Sequence, residues 1–296
     1  MNAAPDTKST AASAPCTSGH LVARRHESPW VSTRRRVAST PPQISRLTLR
    51  WFTWYSRRYL RRHFHSLRIS HTGLPTENGE CPLVIYANHA SWWDPLVFLI
   101  LKHEFFHNYS AFAPIESAML ERYQFFRRLG FFGVQRQTAG GALEFLRTAE
   151  AILQSRQNML VITPQARFAD IRERPLKFAP GLGHLATRLK HARFMPFAAE
   201  FIFWEERLPE ILVRFGSPID ISSPKPPSNS TEWTQLFEQR LAENQDYLAE
   251  EVKRRNPKDF RIILKRTTGQ SPVYDLWRLC KMSWRGEKFT REHGNK

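Results

Sequence analysis

Cysteine is scarce in this 296-residue chain: Cys16, Cys81 and Cys280 are the only three, and they show no paired spacing. A disulfide framework and a four-cysteine zinc site therefore have no support, and a reducing compartment is the expectation. Long apolar runs are missing too. The longest, residues 95–101, falls far short of the roughly 18 residues that cross a bilayer. Acidic residues are absent from 28–76, a stretch with ten basic ones. There is no Gly-x-Ser-x-Gly elbow to present a serine nucleophile.

What is present is enough for a folded core. Hydrophobic residues make up 41% and aromatics 12% of the sequence, which excludes a wholly disordered or collagen-like chain. The length fits one large domain or two small ones. The net charge of +17 is unevenly spread: residues 1–27 carry +1, 28–76 carry +10, 251–296 carry +8, and 77–250 are left with −2. A nearly neutral middle between basic flanks points to an electrostatic attachment device beside a globular domain. A non-catalytic protein binding anionic lipid or nucleic acid is the alternative that this charge raises. The neutral middle argues against nucleic acid, whose binding domains carry cations across the folded face.

Residues 1–43 are rich in Ser, Thr, Ala, Pro and Arg and are expected to form a disordered basic tail, with organelle targeting left open. They lack the apolar core of a secretory signal. Residues 44–76 are expected to hold an amphipathic basic-aromatic helix over 44–64. On a helical wheel Ile44, Leu47, Trp51, Tyr55 and Tyr59 share one face, while Arg46, Arg50, Arg57 and Arg61 share the opposite one. Such a helix either packs Trp51 and Tyr55 into a core or lies on an anionic membrane surface. The missing acidic partners favour the second. The expected site of action is thus the periphery of a membrane, on its cytoplasmic face.

Residues 77–230 alternate short apolar runs with helical patterns. Strands are expected at 82–87, 110–114, 131–136, 159–163, 194–200 and 211–215, and helices at 91–106, 118–128, 138–153 and 180–191. This alternation predicts an α/β fold: a mixed, largely parallel sheet flanked by helices. Residues 231–296 are read as a helical basic region, with a long amphipathic helix over 231–255.

In such sheets the chemistry sits in loops after the strands. The first strand runs into Asn88-His89-Ala90-Ser91-Trp92-Trp93-Asp94-Pro95, which places a histidine and an aspartate five residues apart at a strand-to-helix turn. A carboxylate that fixes one ring nitrogen leaves the other free to take a proton. The same residues also fit a helix start, with Ser91-x-x-Asp94 as a capping box and Pro95 in the first turn. His63, His65 and His71 show no metal-ligand spacing; His103-Glu104-Phe105-Phe106-His107 has the His-Glu-x-x-His spacing of a zincin, a short pattern that carries little weight by itself. Phe125, Phe126, Phe131 and Phe132 could line an acyl tunnel or be plain core.

Asn88-His89-x-x-x-x-Asp94 resembles the first motif of the glycerophosphate and lysophosphatidic acid acyltransferase superfamily. Gly130-Phe131-Phe132-Gly133-Val134-Gln135-Arg136 resembles its second. Thr163-Pro164-Gln165-Ala166-Arg167 is similar to the third, usually Phe-Pro-Glu-Gly-Thr-Arg. Lys177-Phe178-x-x-Gly181 resembles the segment after it, and Phe194-Met195-Pro196-Phe197 the fourth. The resemblance spans residues 83–215. It implies acyl transfer from a thioester of coenzyme A or acyl carrier protein, a co-substrate and not a cofactor, to a lipid hydroxyl. His89 would be the general base and Asp94 its orienter. Arg136, Gln165, Arg167 and Lys177 would bind the acceptor, the arginines through an anionic headgroup. No metal is implied. Gln165 stands where the family has glutamate and keeps hydrogen-bonding capacity without the charge. An acceptor other than glycerol phosphate or lysophosphatidate, or one held differently, is the expectation that follows.

Overall fold

The first helix, α1 (Arg46–His63), contains no glycine or proline. Ser45 caps it by accepting the Thr48 N–H, and Arg61, Arg62 and His63 sit at its negative end. The computed structural model describes residues 41–75, 79–136 and 138–266; the tail up to residue 40, the basic segment after 266, Cys16 and Cys280 lie outside them. The face of α1 that meets the protein is centred on small residues, with Phe52 and Tyr59 packed against the core beside them. Thr53, Ser56 and Leu60 are its buried residues. The two hydroxyls donate back to the helix's own carbonyls, Thr53 to Leu49 and Ser56 to Phe52, each at 2.7 Å. Small side chains whose polarity is satisfied internally allow close approach without loss of hydrogen bonds.

The remaining elements are β1 (Ser66–Ser70), β2 (Leu83–Ala87), α2 (Asp94–Phe105), β3 (Ser110–Glu116), α3 (Ser117–Arg122), β4 (Phe131–Val134), α4 (Ala139–Ile152), β5 (Asn158–Ile162), α5 (Gly181–Arg188), β6 (Arg193–Ile202), β7 (Glu210–Phe215), β8 (Ile219–Asp220), α6 (Ser230–Arg254) and β9 (Phe260–Lys265). They build a nine-stranded sheet in the order β4-β3-β5-β2-β6-β7-β1-β9, with β8 paired to β6. The first five strands of that order are mutually parallel. β7 is antiparallel to β6, β1 parallel to β7, and β9 antiparallel to β1. The expected mixed, largely parallel sheet is therefore the fold.

Both faces of the sheet are covered, which is why β2 reads as an unbroken apolar run. Leu83, Ile85 and Ala87 pack with Leu60 of α1 and Leu96, Val97, Ile100 and Leu101 of α2. Val84 and Tyr86 face the other way, onto Ile152 of α4, Leu182 and Leu185 of α5, and Trp233 and Phe237 of α6. Gly130 enters β4 with φ 99°, and a Cβ there would strike the Ala111 carbonyl oxygen; glycine is the residue that fits.

Two boundaries move. The segment 44–76 is not helical throughout: α1 stops at His63, and Ser66–Ser70 is a sheet strand. The region after 230 is not only helical either, because β9 pairs with β1. Arg68 hides the strand character of β1, since its charge is buried against Glu210 at 2.6 Å with Ser66 as a further partner. A buried cation tolerates this setting only when paired and hydrogen-bonded.

Candidate active site

Because β4, β3, β5, β2 and β6 run in parallel, the loops that follow them share one edge of the sheet. Asn88, immediately after β2, locks that edge. Its amide donates to the Ala199 carbonyl at 3.0 Å and accepts the Ala199 N–H at 2.9 Å, which bridges β2 to β6. The chain then turns, and α2 begins at Asp94 with Pro95 in its first turn. This turn brings Asp94 back onto His89: Oδ2 lies 2.8 Å from the imidazole Nδ1 and also accepts the Ser91 N–H at 3.1 Å. Helix-start and imidazole-orienting roles thus fall on one oxygen. The other, Oδ1, is buried and has no hydrogen-bond partner among the described residues. Burial raises the Asp94 pKa above the usual carboxylate range, against the opposing pull of the His89 hydrogen bond. No described residue hydrogen-bonds the His89 Nε2.

The loop after β5 grips the same histidine. Gln165 is buried, its Oε1 accepts the His89 N–H at 3.4 Å, and its Nε2 donates to the Leu176 carbonyl at 3.2 Å. The Ala169 N–H donates to the His89 carbonyl at 3.0 Å. Phe168 lies over the imidazole with ring centroids 4.2 Å apart.

With this geometry in view, the sequence profile of the acyltransferase family matches residues 62–200. The chain carries an acyltransferase domain. Among solved structures, the 1-acyl-sn-glycerophosphate (LPA) acyltransferase PlsC from Thermotoga maritima is similar. Its identity is 14% and its TM-score 0.48, over 68% of this chain and 79% of that one. No curated protein sequence matches significantly.

The acyltransferase places its sequence-predicted residues unevenly. His89, Asp94 and Gln165 come together. Gln165 spends both polar ends inside the protein, so it is a strut between His89 and the Leu176 strap and not a free acceptor ligand. A glutamate could not donate to Leu176, which gives the amide a physical reason at this position. Arg167 pairs with Glu173, whose pKa the guanidinium lowers. Lys177 is exposed. Its backbone N–H and that of Phe178 donate to Glu238 of α6, at 3.0 and 3.1 Å. Arg136 is exposed in the turn after β4, three strands from β2, which is roughly 14 Å along the sheet. No cluster of metal-ligating residues occurs among the described residues. Phe132 is core, whereas Phe125 is 41% exposed and touches Phe52 of α1. Sequence reading missed Phe168, Glu238 and the clamp role of Asn88. Only Asn88 carried a signal, through its motif.

Proposed function

We propose that this acyltransferase moves a fatty acyl group from a coenzyme A or acyl carrier protein thioester to the hydroxyl of a lysophospholipid or a related glycerolipid at a membrane surface. The observation that carries the reading is the His89–Asp94 pair, held at 2.8 Å on the strand-exit edge. With Asp94 ionised, the imidazole Nδ1–H donates to it and Nε2 is left as the base. Nε2 takes the proton of the acceptor hydroxyl as that oxygen attacks the thioester carbonyl. Collapse of the tetrahedral intermediate expels the thiolate, which takes the proton back from the imidazolium. No acyl-enzyme forms. Arg136, the cation of the second motif, is exposed and without an ion pair among the described residues, and would take an anionic headgroup. Arg167 can join it by exchanging Glu173, since an exposed ion pair is worth only about 0–1 kcal/mol.

The membrane reading is supported by the outer faces of α1. No described helix is long and apolar enough to cross a bilayer. Leu47, Trp51, Trp54 and Tyr55 all point outward, with Trp51 59% and Trp54 60% exposed. An aromatic row runs down the helix, Trp51 to Tyr55 at 5.9 Å, Tyr55 to Tyr59 at 5.5 Å and Tyr59 to Trp93 at 5.3 Å, and so reaches the residue before Asp94. Interfacial rings and flanking arginines suit an anionic leaflet, where each cation contributes about 1 kcal/mol. Vesicles containing phosphatidylserine are expected to float the protein at low salt and release it at high salt. Gln at positions 46, 50, 57 and 61 is expected to weaken that binding by about a hundredfold or more. Salt-independent binding, or none, rejects this role for the helix.

The activity itself is tested with purified protein, palmitoyl-coenzyme A and a panel of lysophosphatidate, glycerol phosphate, other lysophospholipids and monoacylglycerol, with release of free thiol as the readout. Acceptor-dependent release is the expected result. A panel on which lysophosphatidate is the best acceptor rejects the expectation of an altered acceptor, and a panel with no release rejects the function.

A further inference from the structure

We propose that Phe168 is a positioning residue for the base: its ring backs the His89 imidazole, keeps Nδ1 against Asp94, and stabilises the cation formed when Nε2 takes up a proton. This inference rests on the proposed role of His89. An imidazole has two edges and two faces. Asp94 holds one edge and the acceptor needs the other, so lateral support has to come from a face. Phe168 supplies it at 4.2 Å with the planes inclined by 32°. The ring is 59% exposed, so core burial does not explain where it sits.

The loop is fastened so that the ring stays there. Ala169 and Gln165 bind the backbone carbonyl and N–H of His89, one on each side of Phe168 in the chain. The Arg167 guanidinium donates to the Phe168 carbonyl at 3.3 Å while it pairs with Glu173. Ala166 has φ 53°, in the left-handed region that favours glycine. Read without a gap, the Phe-Pro-Glu-Gly-Thr-Arg pattern puts its glycine on this alanine and its arginine on Phe168. An aromatic face thus stands in this chain where the pattern has a cation, directly on the base. A π face attracts a cation and gives a neutral ring far less, so it favours the protonated imidazole that develops in the transition state. Of the other charged groups of the loop, Arg167 pairs with Glu173, Arg172 with Asp170 and Arg174 with Asp246, and Lys177 is exposed; Asp94 is the charge bonded to the ring.

The test compares Phe168→Leu, which keeps bulk and loses the π face, with Phe168→Tyr, which keeps both. Each is assayed with palmitoyl-coenzyme A and the best acceptor of the panel, after thermal melts confirm the fold. Phe168→Leu is expected to lower kcat by about three- to tenfold with the thioester KM unchanged, and to move the acid limb of the kcat/KM profile down by about half to one pH unit. Phe168→Tyr is expected to restore both. A Leu variant equal to wild type, or one that raises KM while kcat and the limb stay put, overturns the inference. His89→Ala run alongside separates the two claims: activity surviving in that variant overturns the base, whereas its loss beside a wild-type-like Leu variant overturns only the role of Phe168.

Discussion

His89→Ala is expected to lower acyl transfer by about a thousandfold, within the 10² to 10⁴ range for loss of a general base, while the protein stays folded. The imidazole lies at the mouth of the strand edge, its side chain 18% exposed, and its partners are Asp94 and Phe168. Truncation opens no deep cavity. It leaves Asp94 Oδ2 with the Ser91 N–H and leaves the Asn88 bridge to Ala199 intact. The measurement is thiol release at saturating acceptor beside a thermal melt. A variant that melts normally and still turns over at the wild-type rate removes His89 from the chemistry.

Asp94→Asn carries the second large effect, and it separates activity from stability. Turnover is expected to fall by about 10³- to 10⁴-fold, because an amide neither stabilises the imidazolium nor fixes the tautomer. Stability is expected to rise at neutral pH. A raised carboxyl pKa means that the native state holds the proton more tightly than the unfolded chain does. Ionising Asp94 therefore costs stability as pH climbs from the usual carboxylate value to the folded one, and the full cost persists above that. Asparagine carries no such cost. Melts at pH 8 should favour the variant, and melts near pH 4 should not distinguish it from wild type. A variant less stable than wild type at pH 8 contradicts the reading that buried, half-satisfied Asp94 is held at the expense of the fold.

Legibility in the sequence followed the range of the interactions. The helix expected over 138–153 was readable because its start is set locally: Thr138 accepts the Gly141 N–H three residues on, and α4 begins at Ala139. The strands of the central sheet were readable because burial on both faces makes them continuous apolar runs. β1 was not, since Ser-Leu-Arg-Ile-Ser looks like a strand only once Glu210 is known to neutralise Arg68. β9 lay inside a segment whose positive charge dominated its alternation. The His89–Asp94 contact spans five residues and one turn, so spacing sufficed. The position of Phe168 depends on a bond from Ala169 to His89 across two strands, and a lone aromatic in a polar loop gives no hint of that. Arg167 was readable as a residue but not as a direction, because Glu173 decides where it points.

The pairing of β1 with β9 closes the chain on itself. Ser70 sits opposite Phe260, and the Arg266 N–H donates to the His65 carbonyl at 2.9 Å while its guanidinium reaches the Arg62 carbonyl. The last described residue is thereby stitched to the foot of α1. Arg62 and Arg266, just over two hundred residues apart in sequence, thus meet at one place. A deletion beginning at Phe260 would strip the hem from β1 and loosen the foot of α1, whose Tyr59 packs against Trp93 beside Asp94, so a strand far along the chain helps decide how that turn is held.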